Sequence, residues 1–540
     1  MPQLFSSLCF VLKKKPLLYA FFWSVLYTLS MNIPYYAMLF PENHTVLIKA
    51  SLLSFIYGIT MFYGIILIRI VSHIFITFIF FTSSVVFYFS LTYGYAQNKD
   101  MFALLLETNL HEAAGVFSPD ILLFTGLSLL ASWLAVKTLP LQENFKRRLS
   151  IFCALCLCCA LFKPMLPVEI KGKHPMPFGY LSHFGHAVKQ QWRMGAMIEA
   201  KIPLQGPVTY EKRSDSPLYI VLALGESLRA DHLGIYGYTR ETTPNARTLP
   251  LLKFQTCYSA GTGTTEAVTR MLTRATVNDT SPALTEHSVI SLFRKAGFRT
   301  VWLTNQGSMA KGETPVSAIS KESEIFETHP SIYTIGARIQ DADIPPMLDK
   351  ILALPPKDTL IILHSFGSHI NPEDRYADEF RVWGPVCDHF SIADCTDEEL
   401  VNSYDNSVLA TDAYWKALLT RLEKLNCLLV ITGDHGDRLH GKYRGHDPKL
   451  MDNPALRWVP FMLYLSPSAQ KQEQLAAMLD NAAKLKDLPI SHDMLFHSLL
   501  GFSGIKAPAY ESKLDLFSGQ AIPHNDPFTQ ILGIEQTGPM

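Results

Sequence analysis

The chain is 540 residues long, with 47 Lys and Arg against 48 Asp and Glu, a formal net charge of -1, and 48% hydrophobic residues. That length and apolar excess exclude a single ordinary soluble domain and call for at least two differently built parts. The balanced charge excludes both the basic excess of a nucleic-acid binder and the acidic excess of a disordered tail.

The first third carries four apolar runs, 16–37, 46–68, 74–93 and 116–136, each near the roughly 20 residues needed to cross a bilayer. A fifth, 149–162, is shorter, and by length alone it fits a buried helix as well as a span. Charge decides its direction. Lys13, Lys14 and Lys15 precede the first run, Arg69 follows the second, and Lys137, Lys146, Arg147 and Arg148 follow the fourth, which marks these loops as cytoplasmic. The alternate loops hold one Lys and no Arg. The fifth run therefore starts inside and crosses outward, and everything after Pro167 lies outside the cytoplasm. No cleavage site follows the first run, which reads as an anchor.

Cys9, Cys153, Cys156, Cys158 and Cys159 lie in or beside the apolar runs and read as small apolar side chains. Cys387 and Cys395 bracket the polar stretch PVCDHFSIADC, where an oxidising compartment favours a local disulfide; Cys257 and Cys427 read as buried. Residues 167–217 interleave aromatic and basic side chains before the polar EKRSDSP, the pattern of an interfacial helix and linker, with a plain connector as the alternative.

From Leu218 the pattern becomes short apolar runs, 219–225, 300–304, 359–364, 427–433 and 459–465, alternating with helix-like stretches. Continuous apolar strands imply a sheet covered on both faces. The expected organisation is an N-terminal five-helix transmembrane domain (1–166), the linker (167–217) and an α/β/α catalytic domain (218–540). Ligands of open α/β sheets bind beyond the carboxyl ends of the strands, which directs attention to Glu226, Asn305, His364 and Asp434.

Glu226 follows the first run directly, and Asp434 with His435 follows the fourth; carboxylate and imidazole are ligand types that suit zinc, although one tip carboxylate alone is more often a helix cap. Between them lies CYSAGTGTTEAVTRMLT, where glycines precede threonines at a helix start. Backbone N–H groups there suit a phosphoryl oxygen, and a simple threonine N-cap is the competing reading. A threonine hydroxyl becomes nucleophilic only with a base or a metal beside it.

These stretches resemble the phosphoethanolamine transferases of the alkaline-phosphatase superfamily, which include the lipid A-modifying and mobile colistin-resistance enzymes. The resemblance covers nearly the whole chain and rests on LGES followed by GYTRETTP, AGFRTVWLTNQ, LHSFGSHINPEDRY, the PVC to DC loop, YDNSVLATD, and DHG ahead of a further His. It implies an alkaline-phosphatase/sulfatase-like fold and zinc held by Glu226, Thr264, Asp434 and His435, with Thr264, in the frame GTGT, as nucleophile. Thr262 and Thr265 are the neighbouring alternatives. His369 in GSHIN and His446 in RGHDP match histidines that serve the phosphate and the exchanging oxygens; His440 competes with His446, and His364 and His440 are expected to be structural. Thr108 and Glu112 in LLLETNLHEAAG match a segment near the donor lipid, although Leu104 stands where many relatives carry Asn. The further cysteine pairs of the colistin-resistance enzymes are missing.

The reaction so implied takes phosphoethanolamine from phosphatidylethanolamine, through a phospho-threonine, to lipid A, lipopolysaccharide core or another envelope glycan. The enzyme is expected as a monomer in the bacterial inner membrane, in contact with membrane lipids, with its catalytic domain in the periplasm and no nucleic-acid partner. A phosphoglycerol transferase or sulfatase-like hydrolase, and a non-catalytic membrane scaffold, are the alternatives.

Overall fold

The computed structural model describes residues 2–39, 44–92, 119–140, 144–162, 176, 183–186, 188–189, 201–306, 314–330, 338–369, 371–389, 392–441, 444–446 and 450–523. They form two compact units, one helical and N-terminal, the other α/β.

The helical unit contains α1 (Pro2–Lys14), α2 (Pro16–Met31), α3 (Ile33–Leu39), α4 (His44–Leu67), α5 (Arg69–Thr92), α6 (Pro119–Lys137) and α7 (Phe145–Phe162). Among the described residues three helical stretches are long and apolar enough to cross a membrane, Leu47–Leu67, Val71–Thr92 and Pro119–Lys137. The five expected spans are not all reached by this measure. The first run breaks at Asn32, where Pro34, lacking an N–H, cannot bond back to Ser30, so α2 stops at Met31. In α7 the first turn goes to Phe145, Lys146, Arg147 and Arg148, which shortens its apolar part.

The helices pack as α2 on α4, α5 on α6 and α4 on α7. Small residues allow the close approach: a Cβ on Gly58 would meet the Ser24 side chain, and one on Gly64 would meet Phe152. Several polar groups inside the bundle pair with one another. Tyr27 and Ser83 hydroxyls lie 2.5 Å apart, and the Asn32 amide both receives the Met176 N–H (2.7 Å) and donates to the Met176 carbonyl (2.9 Å).

The α/β unit is built on β1 (Thr209–Tyr210), β2 (Leu218–Gly225), β3 (Leu252–Tyr258), β4 (Arg299–Thr304), β5 (Ile325–Thr328), β6 (Thr359–His364), β7 (Asn426–Gly433), β8 (Trp458–Leu465), β9 (Ile490–Ser491) and β10 (Ile505–Lys506). Among the described residues eight strands form one sheet in the order β5-β4-β6-β2-β7-β8-β3-β9, of which only β8 runs antiparallel to its neighbours, and β1 pairs with β10 apart from it. Every residue of β2, β6 and β7 is buried, as a sheet covered on both faces requires. Ile220, Leu222, Leu224, Trp302, Ile362 and Val430 share one core, each such side chain worth about 1.5–3 kcal/mol on burial.

Two helices matter for the site, α8 (Thr264–Met271) and α9 (Asp397–Leu422). The α8 face Ala267, Val268 and Met271 joins the sheet core and fixes the helix over it. On α9, Asp405 and Asp412 are seven residues apart and share a face. Asp405 accepts from Tyr238 and Arg240, each at 2.8 Å, and pairs with His232 Nδ1 at 2.8 Å. Asp412 accepts the Asn245 and Ala246 N–H groups, each at 2.8 Å. The distant stretches GYTRETTPN and YDNSVLATD are thus bonded to each other, which holds the chain that follows Glu226.

Candidate active site

Register brings the carboxylates together. Gly225 on β2 pairs with Gly433 on β7, so the next residues, Glu226 and Asp434, emerge side by side. On the other side of β2, β6 places His364 opposite Leu224, and β4 places Thr304 opposite His364, two residues before Gln306. Glycines permit the crowding. A Cβ on Gly433 would lie 2.7 Å from the Leu228 carbonyl, and one on Gly367, at φ +55°, would lie 2.7 Å from the Glu226 N–H.

Thr264 is the first residue of α8, and Gly261 lets the preceding turn fold under it, since a Cβ there would lie 2.7 Å from Ala267 N. The Thr264 hydroxyl donates to Glu226 Oε1 at 2.5 Å and lies 3.3 Å from His435 Nε2. That nitrogen is also 3.3 Å from Glu226 Oε1 and 3.5 Å from Asp434 Oδ2. His435 Nδ1 lies 2.9 Å from the Gly436 carbonyl, to which it donates, so its Nε2 is the nitrogen turned to the other three groups.

The donor set fits a zinc ion. Asp434 Oδ1 accepts from the Ser227 and His435 N–H groups, whereas Oδ2 is buried without accepting any hydrogen bond. Edges of a zinc tetrahedron with N and O ligands are about 3.3 Å long, close to the separations around His435 Nε2. A second trio, His435, Asp437 and His446, also has ligand-type atoms within 4.8 Å of one another. His435, its Nδ1 engaged, has one nitrogen to give, so the two trios cannot use it at once.

Electrostatics carries the same message. Burial favours a neutral Glu226, yet hydrogen bonds from His364 and His435 outweigh it and hold the carboxyl well below the usual range. Burial, then the Glu226 charge, pushes Asp434 up to about 8. For His435 burial opposes protonation, but Asp434 and Glu226 carry it up to about 10. Two buried carboxylates here demand positive charge.

His369 and His446 stand around this centre. His369 Nε2 is 4.0 Å from Glu226 Oε1, and the His446 ring lies 4.4 Å from that of His435 and 5.8 Å from that of His369. Burial lowers His369 to about 4, against the pull of Glu226. His440 is exposed beside Asp397 on the surface, at 3.7 Å. His364, expected as a structural histidine, is buried 3.8 Å from Glu226 Oε2. Cys387 and Cys395 are joined as a disulfide. Thr108 and Glu112 lie outside the described residues.

Two residues are added by the structure. Gln306 Nε2 donates to Glu226 Oε2 (2.7 Å) and to the Ser365 carbonyl (3.0 Å), which turns Oε1 toward Thr264. Asp437 Oδ1 lies 3.0 Å from His446 Nδ1. Gln306 follows the strand-tip residue Asn305, so widening the search by one position finds it; Asp437 repeats the carboxylate of Asp434 in DHGD.

Sheet, helix-opening threonine and convergent carboxylate and imidazole groups define an α/β domain of the sulfatase type. The family model described as Sulfatase matches residues 219–505, and that described as Phosphoethanolamine transferase EptA/EptB matches 55–166. The phosphoethanolamine transferase EptA of Escherichia coli (strain K12) is 27% identical over 466 residues, 79% of this chain and 82% of that protein. The integral membrane lipooligosaccharide phosphoethanolamine transferase A from Neisseria meningitidis superposes with a TM-score of 0.77 at 22% identity, over 94% of this chain and 99% of that one. The periplasmic domain of EptC from Escherichia coli, in complex with Zn, covers 60% of this chain and 92% of its own, with TM-score 0.53 and 24% identity. The chain belongs to the sulfatase family and, within it, to the phosphoethanolamine transferases.

Proposed function

We propose that this enzyme transfers phosphoethanolamine from phosphatidylethanolamine, through a covalent phospho-threonine on Thr264, to lipid A or the lipopolysaccharide core at the periplasmic face of the bacterial inner membrane. The single observation that carries the reading is the convergence of the Thr264 hydroxyl on Glu226 and His435 beside the unsatisfied Asp434 oxygen. One relative, a lipooligosaccharide enzyme, supports the acceptor class, and a zinc complex of another supports the metal.

Glu226, Asp434, His435 and Thr264 would hold a zinc ion, whose charge would favour the ionised hydroxyl and offset the phosphoryl oxygens. Glu226 Oε1, already hydrogen-bonded to Thr264 Oγ1, orients the hydroxyl, whose proton leaves to solvent before attack and returns when Thr264 is restored. The first N–H groups of α8 face the phosphoryl oxygens, and the helix dipole favours their charge. As the Thr264 Oγ–P bond forms, the bond from phosphorus to the diacylglycerol oxygen breaks, and that oxygen takes a proton. We assign that proton to His446, which Asp437 orients and provides with a counter-ion, because burial keeps His369 neutral. In the second half the acceptor oxygen gives its proton to His446 and takes the phosphoethanolamine, restoring Thr264. His369 is left to donate or accept a hydrogen bond at the phosphoryl group.

The test is release of labelled diacylglycerol from acyl-labelled phosphatidylethanolamine by the full-length enzyme in detergent. Thr264→Ala should abolish it; retention would exclude Thr264 as nucleophile.

A further inference from the structure

Arg444, two residues before His446, is buried and reaches across to the cysteine loop. Its Nη1 donates to the carbonyls of Ile392 and of Cys395, the latter at 2.6 Å, and its Nη2 donates to Asp397 Oδ1 at 2.8 Å. Asp397, the first residue of α9, also accepts the Gly441 N–H at 3.1 Å. Both ends of the cysteine loop are fastened to the same helix. The Cys387 N–H donates to Ser403 on α9 at 2.8 Å, while Cys395 runs directly into Thr396, the N-cap of α9. The disulfide closes the loop between these two points.

The described residues around His446 are also bonded to one another. Arg438 and Gly445 exchange backbone hydrogen bonds at 3.1 and 3.0 Å, and beyond them His446 meets Asp437. These bonds close the segment on itself, and Arg444, together with the Gly441 N–H on Asp397, ties it to the cysteine loop and the start of α9. A planar guanidinium can serve two carbonyls and a carboxylate at once, which a lysine ammonium on a flexible stem cannot do in the same fixed geometry.

We infer that Arg444 is a positioning residue for His446, acting through the disulfide-closed 387–395 loop as its fixed anchor. The inference rests on the reading of His446 as a participant in phosphoryl transfer. A proton donor displaced by about 1 Å loses up to about 100-fold in rate without any loss of substrate binding.

The experiment uses full-length enzyme in detergent and acyl-labelled phosphatidylethanolamine, with thermal unfolding of each variant recorded. Arg444→Ala should lower kcat by about 10–100-fold with KM unchanged. Arg444→Lys should recover part of that loss. The Cys387→Ser/Cys395→Ser pair should show the same kcat-only defect, and adding Arg444→Ala to it should cost little more, because both changes cut one connection. If Arg444→Ala fails to fold, Asp397→Asn, at the exposed end of the same connection, should lower kcat several-fold. Independent, multiplying effects, or a normal kcat in folded Arg444→Ala beside a dead His446→Asn, would overturn the inference while sparing the role of His446. A fully active His446→Asn would remove that role and the inference with it.

Discussion

Thr264 Oγ1 and Glu226 Oε1 meet at 2.5 Å, although one opens a helix and the other directly follows the central strand of the sheet. The contact depends on Glu226 keeping one oxygen turned to the helix, and Gln306 secures that by holding the other. Gln306→Ala should therefore cost about 10–100-fold in metal affinity or turnover, as loss of an outer partner of a ligand does. Zinc competition against a chromogenic chelator, alongside the diacylglycerol assay, checks it; unchanged affinity and kcat would leave Gln306 without this role.

Asp434 should be the residue on which metal retention depends most, since its Oδ2 has no hydrogen bond to fall back on. Asp434→Asn is expected to purify with little zinc by elemental analysis. Stripping the wild type with a chelator should lower its melting temperature, and zinc should restore it, because a ligand of the folded state adds to stability by mass action. Asp434→Asn should show neither effect.

Acid should destabilise the α/β unit through two buried histidines, His492 and His497. Burial lowers His492 to about 3 and His497 to about 4, so below the unfolded value of about 6.5 the unfolded chain binds protons that the folded chain refuses. Stability from these residues is complete above about pH 6.5 and is lost as pH falls, by up to about 1.4 kcal/mol per pH unit for each. Asp515, pushed up to about 6 by burial, works in the opposite sense and partly offsets them. Melting curves of the full-length protein between pH 7 and 5 should fall accordingly, and His492→Gln should flatten the fall. A wild-type melting temperature that rises on acidification would contradict the assignment.

Asp405 should matter for folding more than for chemistry. Removing a buried carboxylate that serves Tyr238, Arg240 and His232 costs about 3–5 kcal/mol. Asp405→Ala should lower the melting temperature by roughly 10 °C or more. Differential scanning calorimetry is the check, and a shift within a degree or two would refute the hub.

Much of this arrangement is legible in the sequence where burial is uniform. The runs at 219–225, 359–364 and 427–433 coincide with β2, β6 and β7 to within a residue, because strands covered on both faces have no polar positions to confuse the pattern. The segment LKFQTCY of β3 is not legible, since its Lys, Gln and Thr face partly outward and its pairing slips between Phe254 and Cys257. Glu226 and Asp434 declare themselves as strand-tip carboxylates. Gln306 and Asp437 do not, because an amide and an acid in polar turns look alike until register brings them against Glu226 and His446. The membrane unit shows the opposite failure. Apolar run length overstates helix length where Asn32 and Pro34 interrupt the first run.

Intact mass spectrometry of the full-length enzyme after incubation with phosphatidylethanolamine tests the central claim most directly, with Thr264→Ala and Thr265→Ala in parallel. A phosphoethanolamine adduct should appear on the wild type and on Thr265→Ala, map to Thr264, and be missing from Thr264→Ala. A zinc-loaded, folded wild type that turns over the lipid without forming any adduct, or an adduct that survives in Thr264→Ala, would contradict the covalent Thr264 account.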